Sequence, residues 1–133
     1  MSDLKTICPY CGTGCGMTVH VQGTRITGIH GLPGSPVNEG ELCLKGYFGY
    51  FHTSDQQRLV SSLRREGSHF VKISWDTALD EIAGRLKAIK EKHGPDSFMM
   101  FSSARSTNED NYAAQKFTRT AMGTNNVDHC SRL

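Results

Sequence analysis

The sequence lacks any long hydrophobic run, and no stretch of about 18 consecutive apolar residues exists that could form a transmembrane helix. Its first residues also lack the basic flank and apolar stretch that are typical of a secretory signal. Neither half has an excess of one charge, since residues 1–60 carry four basic and four acidic side chains and residues 61–133 carry eleven and nine. The composition therefore predicts a cytoplasmic protein that binds neither nucleic acid nor a membrane surface.

The chain has 133 residues and a hydrophobic content of 37%, which suits a globular fold with a modest core. It has five cysteines, an odd number that argues against a disulfide framework and favours metal or redox chemistry. Four of the five lie within the first 43 residues. We therefore expect two parts, a cysteine-bearing head over residues 1–59 and a second part over residues 60–133.

The head holds three closely spaced cysteines, Cys8, Cys11 and Cys15, and a remote fourth, Cys43. Three close thiolates and one distant thiolate are typical of a [4Fe–4S] cubane, in which each iron takes one thiolate. Glycines between the cysteines allow the backbone to wrap closely around such a group. A four-cysteine zinc site is the alternative, although zinc usually takes two short cysteine pairs.

A β-hairpin is predicted between Cys15 and Cys43, because apolar and polar residues alternate over residues 17–22 and a Gly-Thr turn leads into residues 25–29. This hairpin would support the cluster and return Cys43 to it. Lys45 follows Cys43 by two residues, so the chain itself holds it near the cluster. On spacing alone, a charge-carrying role and an ordinary solvated lysine remain equally open.

The second part of the chain alternates between strand and helix patterns. Residues 70–73 read as a short strand, and Ser74 reads as the N-cap of a helix that continues to His93 and stops at Gly94. Apolar residues at steps of three and four predict that one helical face is buried. The residues on that face are Leu79, Ile82, Ala83, Leu86 and Ile89.

A further strand is predicted over residues 97–101, apolar enough to be covered on both faces, followed by a helix to about Met122 and a strand that begins at residues 126–127. This β–α–β order predicts a doubly wound α/β layer. The loop over residues 102–111 lies where such sheets bind phosphate, and it offers hydroxyls, amides and an arginine. Because it has no glycine-rich fingerprint, phosphate binding and simple helix capping both remain open.

Together these motifs resemble the molybdenum- and tungsten-dependent bis-pterin oxidoreductases, most closely the formate dehydrogenase catalytic subunits. The matching segments extend over nearly the whole chain and comprise residues 8–15, 43–46, 74–76, 102–112 and 123–133. The resemblance implies an α/β fold, with a small β-hairpin head that holds a [4Fe–4S] cluster and the start of a doubly wound domain. That domain would bind a bis-molybdopterin guanine dinucleotide that carries molybdenum or tungsten.

The resemblance also implies a role for particular residues. Lys45 would lie between the cluster and one pterin, on the electron path. The cluster ligands would be Cys8, Cys11, Cys15 and Cys43. The residues that contact the pterin guanine dinucleotide would be Arg105, Thr107 and Asn108.

The ligand of molybdenum or tungsten is expected immediately after Leu133, as a selenocysteine or cysteine followed by histidine, so Cys130 would not be that ligand. No residue within the chain would then act on the substrate by itself. We expect the reading frame to be interrupted at an in-frame UGA codon, which encodes selenocysteine, and the enzyme to continue beyond it.

The implied function is that of the N-terminal segment of a formate dehydrogenase or carbon dioxide reductase, with a cluster that relays electrons from the metal–pterin centre. Its partners would be the rest of the subunit and iron–sulfur electron-transfer subunits, with a hydrogenase or an NAD-linked module as candidates. The alternatives are a stand-alone ferredoxin-like module and a zinc-stabilised binding domain. The ferredoxin-like module would leave the apolar strand over residues 98–101 at an exposed sheet edge.

Overall fold

Three small β-sheets and three α-helices make up the computed structural model, which describes residues 2–55 and 57–130. The strands are β1 (Ser2–Ile7), β2 (Gly16–Gln22), β3 (Arg25–Gly31), β4 (Ser62–Glu66), β5 (His69–Ile73), β6 (Met100–Ser102) and β7 (Val127–His129). The helices are α1 (Leu44–Phe48), α2 (Trp75–His93) and α3 (Asn108–Phe117). The predicted α/β class is confirmed. None of the helices in residues 2–55 and 57–130 is both long enough and apolar enough to cross a membrane.

The head contains an antiparallel sheet in the order β1-β2-β3. The predicted hairpin is confirmed as β2 and β3, which turn at Gly23 with a φ of 62° that glycine adopts readily. Strand β1 was not predicted, and it pairs with β2 up to Ile7 opposite Gly16. One face of this sheet carries the head's small core, which consists of Cys8, Met17, Val19 and Ile29.

A second sheet is the antiparallel hairpin of β4 and β5. The strand predicted over residues 70–73 is confirmed as β5, whereas its partner β4 had no clear pattern in the sequence. Arg64 on β4 joins the hairpin to α2, because its guanidinium lies 2.6 Å from Glu81 and 2.6 Å from Glu66.

Helix α2 begins and ends where the sequence predicts. The Ser74 hydroxyl accepts a hydrogen bond from the Thr77 amide at 3.1 Å, and Gly94 ends the helix with a φ of 80°. The prediction of a buried apolar face is wrong for the described residues, since Leu79 is 56% exposed and Ile82 is 54% exposed. The residues share a face as predicted, but the described part of the chain leaves most of that face exposed.

The third sheet is the parallel pair β6 and β7, with α3 between them, which confirms the predicted β–α–β order. Strand β6 is shorter than predicted, because Pro95–Ser97 forms a 3-10 turn before it. Phe101 is 61% exposed, so the expected cover on both strand faces is absent among the described residues. Helix α3 continues as a π-helix over Thr118–Met122, and Gly123 ends that segment with a φ of 80°.

Candidate metal centre

Two of the head cysteines lie side by side because they flank one end of the β1–β2 ladder. Cys8 follows β1 and Cys15 precedes β2, and the Cys8 amide donates a hydrogen bond to the Cys15 carbonyl at 2.9 Å. Cys8 is buried against the β-sheet core, with 5% of its surface exposed. The loop between them carries Cys11, so residues 8–15 contain three of the four predicted ligands.

Asn38 connects the segment that precedes Cys43 to this cysteine loop. The Asn38 side chain accepts a hydrogen bond from the Gly16 amide at 2.9 Å and donates one to the Gly16 carbonyl at 3.0 Å. The same side-chain amide donates to the Glu41 carbonyl at 2.6 Å. Because Gly16 follows Cys15 and Glu41 precedes Cys43 by two residues, Asn38 joins the two ends of the site.

The four head thiols form one electrostatic group. Burial raises the pKa of Cys15, and the neighbouring Cys8, Cys11 and Cys43 raise it further because their thiolates repel a fourth negative charge. Four thiolates in such proximity are unfavourable unless cations lie among them. The four predicted ligands therefore lie near enough to influence one another electrostatically, and their role as ligands stays a prediction.

Cys11 lies in a different environment within the same group. The Thr13 hydroxyl, 3.2 Å from the Cys11 sulfur, lowers the pKa of that thiol, and the Thr13 backbone amide lowers it further. Burial opposes this lowering of the Cys11 pKa, and the Lys45 charge contributes the smallest of the four effects, in the lowering direction. Lys45 lies in α1 and its side chain is exposed, and its role beside the cluster stays a prediction.

The donor set consists of four thiols, which suit either a cubane or a single zinc ion. Within residues 2–55 and 57–130, no three cysteine, histidine or carboxylate side chains lie close enough together to hold one metal ion. In a cubane each thiolate binds a different iron, and the spacing of three close cysteines and one distant cysteine is what favours that cluster over zinc.

The loop that precedes α3 is organised by side-chain hydrogen bonds. The Thr107 hydroxyl caps α3 by accepting from the Asp110 amide at 3.2 Å, and the Arg105 amide donates to the Ser103 hydroxyl at 3.1 Å. The Asn111 side chain bonds both backbone groups of Ser103, at 3.1 Å and 2.9 Å. The structure confirms that this loop caps α3. Contact of Arg105 and Thr107 with the pterin dinucleotide stays a prediction.

Asn108 brings this loop to the cysteine loop. Its side-chain amide donates a hydrogen bond to the Gly12 carbonyl at 2.9 Å, across 96 residues of sequence. The contact requires glycine at position 12, since a Cβ there would lie 2.7 Å from the Asn108 Oδ1 atom. The predicted cluster site and the predicted pterin site therefore adjoin at Asn108.

Cys130 lies just beyond β7, at the carboxyl end of the parallel pair. Its sulfur is 3.6 Å from the Ser103 hydroxyl, and the Ala104 backbone amide, the Ser103 hydroxyl and the Arg105 charge lower the pKa of Cys130. Residues 131–133, after which the ligand of molybdenum or tungsten is predicted, lie outside the described residues.

Sequence reasoning missed three side chains that hold the candidate sites together. These are Thr13, Asn38 and Asn111, which bond respectively to Cys11, to the Gly16 and Glu41 backbone, and to the Ser103 backbone. A usable signal was present, because short hydroxyl and amide side chains in loops commonly bond to neighbouring backbone. The sequence could not show which backbone group each would reach.

Comparison with known proteins assigns both parts of the chain. Residues 1–55 match the molybdopterin oxidoreductase Fe4S4 domain, and residues 58–133 match the molybdopterin oxidoreductase family. The chain is 47% identical, over its whole length, to the F420-dependent formate dehydrogenase 2 subunit alpha of Methanococcus maripaludis, of which it covers 20%. It is 48% identical over 98% of its length to the corresponding subunit of Methanocaldococcus jannaschii, of which it covers 19%.

A solved structure shows the same fold. The acetylene hydratase from Pelobacter acetylenicus matches 94% of this chain with a TM-score of 0.71 and 25% sequence identity, and the match covers 18% of that enzyme. The chain thus spans about one fifth of the length of its relatives. Its two matched domains indicate a [4Fe–4S] cluster and a molybdopterin as cofactors. On these grounds the chain belongs to the molybdopterin oxidoreductase family.

Proposed function

We propose that this chain is the N-terminal segment of a formate dehydrogenase or carbon dioxide reductase catalytic subunit. The observation that carries the proposal is the single electrostatic group of four thiols, found in a chain that is 47% identical to a formate dehydrogenase alpha subunit. In this proposal the cluster ligands are Cys8, Cys11, Cys15 and Cys43. The domain boundary is proposed between residues 59 and 60, in the segment that separates α1 from β4.

The cluster, when bound, supplies one-electron transfer. The chain's own residues would bind it, exclude water from it and adjust the charge around it. Cys8 packs against Met17 and Val19, so the apolar core excludes water on that side. Cys43 and Lys45 are exposed. Lys45 is proposed as the electron relay residue, because its ammonium already acts on Cys11 and would stabilise negative charge between the cluster and a pterin.

The loop before α3 is proposed to bind the pterin guanine dinucleotide through Arg105, Thr107 and Asn108. The support is positional, since Arg105 is exposed at the carboxyl end of β6 and the loop leads into a helix N-terminus. Free backbone amides and the helix dipole favour phosphate at such a place. Whether molybdenum or tungsten is bound is left to metal analysis, and a selenocysteine or cysteine ligand after residue 133 stays a prediction.

The oxidation of formate releases carbon dioxide, one proton and two electrons, so an electron acceptor is required. We propose iron–sulfur electron-transfer subunits as the partners of the complete subunit, with a hydrogenase or an NAD-linked module behind them. A cytoplasmic location is proposed as well, because no disulfide joins any two of the five cysteines and disulfides are rare in reducing compartments.

The experiment that tests this function uses the full catalytic subunit purified without oxygen. Cys43→Ser removes a proposed ligand, and Cys130→Ser is the matched control, since both cysteines are exposed. We expect Cys43→Ser to lose iron, the absorbance near 400 nm and formate-dependent dye reduction, while Cys130→Ser keeps its iron. Full iron content in Cys43→Ser would contradict the ligand assignment. An unaltered enzyme that carries iron, molybdenum or tungsten but does not oxidise formate would contradict the activity.

The molecular mass of the native protein tests the ferredoxin-like alternative. It predicts a native iron protein of about the 14.7 kDa calculated for the sequence, with no formate activity. The proposed function predicts instead that peptides of residues 1–133 come from a polypeptide several times larger. Intact-mass measurement of the native protein distinguishes the two.

A further inference from the structure

We propose that Asn108 is a positioning residue for the iron–sulfur site, which acts through the Gly12–Thr13 peptide on the Cys11 sulfur and thereby raises the reduction potential of the cluster. The inference rests on the proposed function, because it requires Cys11 to be a cluster ligand. It adds a residue from the second part of the chain to the machinery of the first.

The contact between Asn108 and Gly12 uses a side-chain amide at one position and the absence of a side chain at the other. Asn108 is the first residue of α3, and its side-chain amide lies 2.9 Å from the Gly12 carbonyl oxygen. Gly12 has no Cβ, and a Cβ there would lie 2.7 Å from the Asn108 Oδ1 atom and 3.6 Å from its Cγ atom. The Asn108 side chain therefore packs directly against the backbone of Gly12, between Cys11 and Cys15.

The residue that follows this carbonyl contacts Cys11. The Gly12 carbonyl belongs to the peptide that joins Gly12 to Thr13, so the Asn108 bond fixes the backbone from which the Thr13 side chain projects. The Thr13 hydroxyl lies 3.2 Å from the Cys11 sulfur. Asn108, the Gly12–Thr13 backbone and the Thr13 hydroxyl thus connect the second part of the chain to the Cys11 sulfur.

The consequence concerns the reduction potential. A reduced cluster carries one more negative charge than an oxidised one, and hydrogen bonds to the cysteine sulfurs stabilise that charge. Loss of the Asn108 amide weakens the Thr13 bond and frees the loop, so reduction becomes less favourable.

The test uses the full subunit with its cofactors and compares Asn108→Ala with Asn111→Ala. Asn111 is the matched control, because it lies on the same helix and bonds the Ser103 backbone instead of the cysteine loop. The measurements are iron per chain and the potential from a redox titration followed by electron paramagnetic resonance. We expect Asn108→Ala to keep its iron and to shift the reduction equilibrium toward the oxidised form by up to about tenfold, which is about 59 mV for one electron.

A second variant, Asn108→Asp, keeps the shape of the side chain and replaces its donor with an acceptor. We expect it to lower the potential in the same direction, and Asn111→Ala to leave the potential at the wild-type value. An unchanged potential in an iron-loaded Asn108 variant would overturn the inference and leave the proposed cluster intact. Loss of iron from both Asn108 variants, with Asn111→Ala fully loaded, would show a merely structural role and also overturn it. A wild-type subunit without a cluster would overturn the proposed function itself.

Discussion

Cys11 and Cys15 are the same kind of side chain in opposite electrostatic environments, only four residues apart. Thr13 and Lys45 stabilise the Cys11 thiolate, whereas burial and the neighbouring thiolates destabilise the Cys15 thiolate. The site therefore has one thiol that ionises easily and one that ionises with difficulty. Cationic iron at the centre of the group would remove the penalty at Cys15, which couples ligand ionisation to metal binding.

This asymmetry predicts the order in which the thiols of the iron-free protein react. Only the thiolate is nucleophilic, so a lowered pKa makes Cys11 reactive at lower pH and a raised pKa makes Cys15 reactive only at higher pH. Pulses of iodoacetamide over a series of pH values, followed by peptide mass spectrometry, measure the order. Thr13→Val removes the hydroxyl and should move Cys11 toward higher pH. Alkylation of Cys15 at a lower pH than Cys11 would contradict the prediction.

The second prediction at the scale of single residues concerns the charge of Lys45. Lys45→Met removes the charge beside Cys11, so we expect formate-dependent dye reduction to slow several-fold while iron content is retained. Lys45→Arg keeps the charge and should retain more of the rate. Lys92→Met, in the last turn of α2, is the control for loss of an exposed lysine. Equal rates in Lys45→Met and the wild type would rule out the relay role.

At the scale of elements, the head is assembled from short strands whose ends are joined by side chains. The β1–β2 ladder aligns Cys8 with Cys15, and Asn38 holds the backbone of Gly16 and Glu41 together so that α1 begins next to the cluster loop. Gly16 is buried, and its amide donates to Asn38, whereas its carbonyl also accepts a hydrogen bond from the Leu32 amide at 3.0 Å.

We therefore expect Asn38→Ala to destabilise the head by about 1–3 kcal/mol, the cost of leaving the buried Gly16 amide unpaired. Cys43 would be held less well, so iron should be lost faster to a chelator. Urea unfolding and the rate of iron release measure the two effects. Asn125→Ala is the control, because that asparagine is exposed and its side chain bonds only Arg119. Similar iron release from both variants would contradict the role of Asn38.

At the scale of the whole molecule, the chain has an apolar groove that its described residues leave open. Leu79, Ile82 and Leu86 on α2 face Phe117 and Met122 across a space of about 420 Å³. Contiguous exposed apolar surface of this kind promotes association.

Expressed by itself, a chain of residues 1–133 should self-associate through this groove. The double substitution Leu79→Lys and Ile82→Lys places two charges in it and should shift the protein toward monomer in analytical ultracentrifugation. Leu59→Lys is the control, because Leu59 is 72% exposed and lies outside the groove. A wild-type chain that remains monomeric at high concentration, or an equal effect of the control, would contradict the prediction.

The amino-acid sequence by itself determined the features that depend on neighbouring residues. The spacing of the cysteines, the β2–β3 hairpin, the Ser74 cap and the β–α–β order all follow from local pattern, and the structure has each of them. The periodicity of α2 placed its apolar residues on one face. It could not show what covers that face, because cover is supplied by distant parts of a chain.

Only the tertiary structure decided the contacts between distant segments. The pairing of β1 with β2, the clamp at Asn38 and the bond from Asn108 to Gly12 join residues that no local pattern relates. A hydrogen bond across 96 residues depends on how distant segments of the chain pack together, and the free energy of that packing is spread over many small contacts. For this reason the sequence predicts which atoms bind iron, and the structure shows which atoms position them.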